Sequence, residues 1–186
     1  MNMEATRRRL TEKQADTVDK LTRAAMEVLS REGFAGLTVR MVAAAAGVGT
    51  ATAYTYFSSK EHLVAELFWR RLAATAPEDS DADPSTRVIA VLRQIAMLVA
   101  DEPALAGAVT SALLGTDPDV AHLRFRIGSE IRKRLIDALG SEADEEIVET
   151  LESLYAGALV RAGMGYASYA QIADQLEKSA RHVLPN

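Results

Sequence analysis

The stretch "TVRMVAAAAGVGTATAYTYFSSKEHL", residues 38–63, decides the fold. Thr38 is a helix-capping residue, and behind it Val39, Val42, Ala43 and Ala46 recur at helical spacing, so the pattern predicts a two-turn helix with one buried face. Gly47 supplies the positive φ that ends such a helix tightly, Val48 can drop into a core, and Gly49 lets a second helix start at once. Two short helices joined by so tight a turn, with alanines where their backbones must approach, describe a helix-turn-helix.

The second of these helices, about residues 50–57, then has a task. An α-helix fits the DNA major groove, where the base edges carry a sequence-specific pattern. Bulky side chains would hold its backbone off the bases, whereas Thr50, Ala51 and Thr52 permit close approach and offer methyls and hydroxyls. Alanines and aromatics at helical spacing also describe plain core, and Ala43, Ala46, Val48, Ala53 and Phe57 are read that way. Tyr54 and Tyr56, two positions apart, cannot both face one core, so their hydroxyls are expected on phosphates. Lys60, in the first turn of the following helix, adds a full charge where the helix dipole already favours an anion.

Outward from this stretch almost everything reads as helix, which makes the fold class all-α. Val18, Leu21, Ala25, Val28 and Leu29 form an apolar stripe that docks a first helix on the short pair. Periodicity and caps predict nine helices, at about 11–32, 38–46, 50–57, 59–76, 84–100, 103–114, 118–139, 142–167 and 169–183. Starts are expected at Thr11 with Gln14, Ser58 with Glu61, Ser141 with Asp144 and Ser168 with Gln171. Further starts are expected where Asp83, Glu102 and Asp117 precede prolines. Gly33, Gly47, Gly115 and Gly140 are expected as left-handed stops. The acidic, turn-rich segment "APEDSDADPS", residues 76–85, divides the chain into residues 1–76, an N-terminal arm with the helix-turn-helix and a connecting helix, and residues 84–186, a helical regulatory part.

The 186 residues are 48% hydrophobic and 25% charged, as for a globular protein with a real core. Without cysteine there are no disulfides, cysteine-bound metals or thiol nucleophiles. No apolar leader or membrane span is legible, so a cytoplasmic protein is expected. The net charge of −5 argues against nucleic acid, but its distribution does not: residues 1–75 carry a net +3 and the remainder −8. His62, His122 and His182 lie far apart, so neither a metal nor a cofactor is expected. "GMGYAS", residues 163–168, follows no strand, and there is neither a P-loop nor a nucleophile elbow, so enzymatic activity is not expected.

The segment "GFAGLTVRMVAAAAGVGTATAYTYFSSKEHLVAEL", residues 33–67, resembles the DNA-binding domain of the TetR family of transcriptional regulators. The resemblance lies in T-V-R opening the second helix, A-G-V at the turn, then T-x-Y-x-Y-F, S-K-E and L, and it covers about residues 18–70. It implies that Thr38, Tyr54 and Lys60 bind phosphates and that Arg40 reaches a phosphate or a guanine. It also implies that Thr50, Ala51, Thr52, Thr55 and Tyr56 contact bases and the nearby backbone. Gly49 stands where the family often has Ser, and Thr50 where a longer polar side chain is common, which leaves more of the discrimination to Arg40 and to methyl contacts. Arg7, Arg8 and Arg9 can form an arm that adds contacts to DNA.

One helix-turn-helix reads only a few base pairs, so specific binding calls for two related by a dyad on a palindromic operator. The helix at 142–167 turns apolar or small on nearly all faces from Leu154 onward, and a helix of that kind is buried all round. Its Gly157, Gly163 and Gly165 allow close approach beside Arg161. Burial by its own chain explains this; so does a four-helix interface between two copies, made with the last helix, and the resemblance implies the homodimer. An apolar cavity among the remaining helices would hold a small-molecule effector, with Trp69, Met97, Phe125, Tyr155 and Met164 as wall candidates. The expected protein is a homodimeric repressor released from its operator by a small apolar ligand. The alternatives are a DNA-binding regulator without such an inducer and an all-helical small-molecule-binding protein that has lost operator binding.

Overall fold

The computed structural model describes residues 12–76 and 81–184. Among them are nine α-helices and no strand: α1 Glu12–Gly36, α2 Val39–Ala45, α3 Thr50–Tyr56, α4 Lys60–Ala74, α5 Pro84–Met97, α6 Pro103–Leu113, α7 Pro118–Leu139, α8 Glu145–Gly163 and α9 Tyr169–Val183. None of these is long and apolar enough to cross a membrane. Thr11, Arg7–Arg9 and residues 77–80 of the acidic segment lie outside the described residues.

Local chemistry places most of the boundaries. Thr38 accepts a hydrogen bond from the Met41 N–H at 3.2 Å. Asp83 and Asp117 cap the proline-led starts of α5 and α7, and Ser168 with Gln171 forms a complete capping box at α9. Four starts and stops differ from expectation. The cap of α4 is Ser59, not Ser58, because the Ser58 hydroxyl is drawn to Asp117. Asp144 caps α8 in place of Ser141, which lies in a 3₁₀ turn over Gly140–Glu142. Glu102 caps nothing, because its carboxylate pairs with Arg71 of α4. Gly33, Gly47 and Gly140 have positive φ, but Gly115 does not, since α6 ends in a right-handed turn at Leu114.

The predicted stripe on α1 is buried throughout and packs on α2 and α6. α4 lies across α6 and α7, while α5, α8 and α9 close the far side. Most buried apolar residues from Val18 to Leu184 form one contiguous cluster, and Ala65, Val120 and Leu123 form a second, smaller one between α4 and α7. One buried charge escaped the sequence pattern. Arg134 of α7 donates to the Leu72 carbonyl at 2.7 Å and to Glu130 at 2.8 Å, which fastens the end of α4 to α7.

The single chain does not bury α8 all round. Gly157 and Arg161 are exposed, on a face that no helix among the described residues covers. Nor do the three glycines share one role. A Cβ at Gly163 would lie 2.3 Å from the Thr110 hydroxyl oxygen of α6, so this glycine alone is met by another helix within the chain. Nothing lies within 4 Å of a Cβ at Gly157 or Gly165, and Gly165 occupies a turn with positive φ.

Candidate nucleic-acid interface

α2 and α3 meet through Gly47, whose φ of +65° makes the turn, with the Val48 N–H donating to the Ala43 carbonyl at 2.9 Å. Burial of α3 is one-sided. Ala53 and Phe57 are fully inside, whereas Thr50, Ala51, Thr52, Tyr54 and Thr55 present an exposed surface. Those two buried positions, four apart, hold the helix by one stripe and leave its small side chains outward. Tyr54 is half exposed. Tyr56 is half-buried against the core, so less of it faces outward than the two-tyrosine argument supposes. The Thr55 hydroxyl donates to the Ala51 carbonyl at 3.1 Å, which leaves its methyl and an oxygen lone pair for contacts.

The two cations of this surface differ. Arg40 is exposed on α2 and forms no ion pair among the described residues. Lys60 donates to the carbonyls of Phe34 and Ala35 at 3.0 and 3.4 Å, with its ammonium 4.6 Å from the centre of the Phe34 ring. It braces the start of α4 against the bend that ends α1. Any phosphate contact by Lys60 shares the ammonium with those carbonyls.

The end of α3 is also tied to the far part of the chain. The Ser58 hydroxyl donates to Asp117 at 2.9 Å. His62, buried beneath Phe57 with ring centres 5.4 Å apart, has Nδ1 3.3 Å from the Ser58 N–H and 3.6 Å from the Asp119 carboxylate. Burial tends to raise the Asp117 carboxyl, but hydrogen bonds from Ser59, Ser58 and the backbone outweigh it and hold the group below the usual carboxylate range. A Cβ at Gly115 would lie 3.3 Å from the Glu61 side chain in the same place. The segment between α6 and α7 therefore sits on the junction that carries α3, a link the sequence did not disclose.

Beside that segment, α4, α6, α7 and α8 enclose an apolar cavity of about 270 Å³ whose walls include Phe68, Leu113, Ile127, Tyr155 and Leu159. Of the five wall candidates only Tyr155 lines it. α7 turns Leu123, Ile127 and Ile131 inward at four-residue spacing, which leaves Phe125 72% exposed. Trp69 is half-buried outside the cavity, with the Arg126 guanidinium 4.3 Å from its ring centre. Met164 lies exposed beyond the end of α8, and Met97 belongs to a separate groove formed with Ala106 and Tyr169. The Tyr155 hydroxyl is buried with no hydrogen-bond partner among the described residues, and burial pushes its ionisation far above the usual range.

On the uncovered face of α8, Gly157 and Arg161 form an open groove with Leu154 of the same helix and Gln175 and Ser179 of α9. Among the described residues no three acidic or imidazole side chains gather in a way that could hold a metal ion.

Residues 21–67 match the model of the bacterial regulatory proteins of the tetR family. The chain is 47% identical over 168 residues to the HTH-type transcriptional regulator Rv0767c of Mycobacterium tuberculosis (strain ATCC 25618 / H37Rv), an alignment covering 88% of this chain and 78% of that protein. It is 28% identical over 134 residues to the HTH-type transcriptional repressor KstR of Rhodococcus jostii (strain RHA1), covering 70% of this chain and 61% of that one. The fold is similar to a TetR transcriptional regulator from Rhodococcus sp. RHA1, with a TM-score of 0.73 at 22% identity, over 89% of this chain and 95% of the other. The tight turn before an outward-facing α3, and identity of nearly half along most of the chain with a helix-turn-helix regulator, agree: this chain belongs to the TetR family of transcriptional regulators.

Proposed function

We propose that the protein is a homodimeric repressor that binds a palindromic operator through α3 and leaves it when a small, largely apolar ligand fills the cavity between α4, α6, α7 and α8. The observation that carries the proposal is the exposed face of α3, where small and hydroxylated side chains stand clear of the core beside the exposed Arg40. Residues 1–76 then serve as the DNA reader and residues 84–186 as the regulatory and dimerising part. The uncovered face of α8, with Gly157 and Arg161, is the surface a second copy would close together with α9. Repression agrees with the name of the Rhodococcus jostii relative. Thr38 and Tyr54 are assigned to phosphates, and Thr50, Ala51, Thr52, Thr55 and the outer edge of Tyr56 to bases and adjoining backbone. An apolar cavity beside the segment that holds Ser58 is suited to bias the spacing of two α3 helices, provided the ligand prefers one arrangement.

The test is fluorescence anisotropy of the protein against its own upstream region and a scrambled duplex, over a salt series, with stoichiometry. Two chains on the native region at physiological salt, with the scrambled duplex released, is the expected result. Equal, salt-sensitive binding to both duplexes would remove specificity from the proposal. Arg40→Ala is expected to cost roughly 1–3 kcal/mol on the native duplex if its guanidinium reaches a base edge. A loss of the same size on both duplexes would instead assign Arg40 to phosphate.

A separate expectation concerns Tyr155. Among the described residues its buried hydroxyl has no hydrogen-bond partner, which costs stability. Tyr155→Phe is expected to raise the unfolding free energy by about 1 kcal/mol, as measured by urea denaturation. A decrease would mean that the hydroxyl is hydrogen-bonded in solution.

A further inference from the structure

The polar groups around the cavity are unequal. Its walls include eight apolar side chains from four helices and just two charged ones, the exposed Arg124 and the half-buried Glu152. Glu152 is already matched, because Arg132 donates to it at 2.6 Å and pairs with Glu145 as well. Arg124 has no carboxylate partner among the described residues. Its Nη1 donates to the carbonyls of Leu113 and Gly115, while Nη2 and Nε make no hydrogen bond to the described residues. A guanidinium with two unused donor nitrogens beside a hydrocarbon-walled space recognises one chemistry well, a planar carboxylate whose apolar remainder points inward.

We propose that the cavity takes an anionic amphiphile, an apolar body carrying one carboxylate, and that Arg124 is the residue that reads the carboxylate. This rests on the ligand-responsive reading above and specifies it. At about 30 Å³ for each water-sized group, a cavity of about 270 Å³ accommodates roughly nine non-hydrogen atoms, which bounds the body to that size.

Arg124 also connects ligand to DNA reader. Its present acceptors, Leu113 O and Gly115 O, lie at the end of α6, two residues before the Asp117 that holds Ser58 and at the glycine whose added Cβ would meet the Glu61 side chain. A carboxylate makes a stronger, charge-assisted bond than a neutral carbonyl. A carboxylate aligned on Nη2 and Nε therefore competes for the orientation of the guanidinium with the Nη1 bonds to the α6–α7 segment, and a turn toward the ligand loosens the support of the α3–α4 junction.

The experiment is isothermal titration of the full chain with decanoate, 1-decanol and decylamine, three ligands with nearly the same body and different heads, for the parent, Arg124→Gln and Arg124→Lys. Decanoate is expected to bind the parent at least ten-fold more tightly than either of the others. Arg124→Gln should remove that preference while 1-decanol binding stays as in the parent, which also shows that the cavity is intact. Arg124→Lys should keep part of the preference. Equal binding of decanoate and 1-decanol, tighter binding of decylamine, no decanoate binding at millimolar concentration, or an unchanged preference in Arg124→Gln would each overturn the proposal. The same titrations on the protein–DNA complex keep the two readings apart. Arg124-dependent decanoate binding that leaves DNA bound would sustain the ligand class and refute release, whereas specific DNA binding with no decanoate binding would refute the ligand class and leave the DNA-binding reading standing.

Discussion

Ala51→Glu is expected to reduce DNA affinity by more than 100-fold while the melting temperature stays within a degree or two of the parent. Ala51 is exposed in the middle of the outward face of α3. Glutamate is a good helix former, and surface substitutions away from special features usually lie within about 0.5 kcal/mol, so the fold should not register the change. DNA should register it twice. The longer side chain holds the α3 backbone away from the base edges, and its carboxylate meets a surface that carries one negative charge per roughly 1.7 Å of helix axis. Like charges brought together at an interface cost several kcal/mol, and each 1.4 kcal/mol is about ten-fold in affinity. Both native and scrambled duplexes should be lost, since the penalty comes first from the phosphates. Ala51→Ser, small and neutral, should bind within a few-fold of the parent. Parent-like binding by the glutamate variant, measured by anisotropy at two salt concentrations, would mean that α3 does not enter the groove.

How much of this was legible in the sequence follows from the reach of each interaction. Thr38, Asp83, Asp117 and Ser168 act on N–H groups two or three residues away, and their caps were readable as written. The turn at Gly47 and the inward pair Ala53 and Phe57 were equally local, so the helix-turn-helix and its exposed face followed from spacing alone. Lys60 was not, because the carbonyls it braces are 25 and 26 residues back and lie on a bend of α1. The Ser58–Asp117 bond spans 59 residues and the Arg134–Leu72 bond 62, and no periodicity announces either. Phe125 is a different kind of miss. Leu123, Ile127 and Ile131 already formed an inward stripe in the sequence, and a residue two positions off that stripe had to point elsewhere. Side-chain size does not mark the cavity wall here, whereas helical register does. The uncovered face of α8 is informative for the opposite reason: its apolar character was read correctly, and a single chain leaves it open.

Gly163→Ala is expected to destabilise the protein by roughly 1–3 kcal/mol, the usual cost of inserting a methyl into a well-packed contact. Near this chain length each kcal/mol corresponds to about 2–4 °C in melting temperature. The added Cβ would lie 2.3 Å from the Thr110 hydroxyl oxygen, 2.5 Å from its Cβ and 2.9 Å from its methyl. Rotating the threonine cannot relieve the middle of these, because a Cβ is fixed to the backbone of α6. The rotation would also give up the bond from the Thr110 hydroxyl to the Leu159 carbonyl at 3.3 Å. α6 must therefore shift, and it is packed against α1 and α4 on its other sides. Any gain in helix propensity is small, since Gly163 is the last residue of α8, where the helix is already ending. Moving the vacancy to the other helix tests the account. Thr110→Gly alone should destabilise by lost packing, but combined with Gly163→Ala the two losses should fall short of additivity by about 1 kcal/mol or more, as contacting sites do. Strict additivity, or a Gly163→Ala variant as stable as the parent, would mean that α6 and α8 are farther apart in solution than the Thr110–Gly163 contact requires.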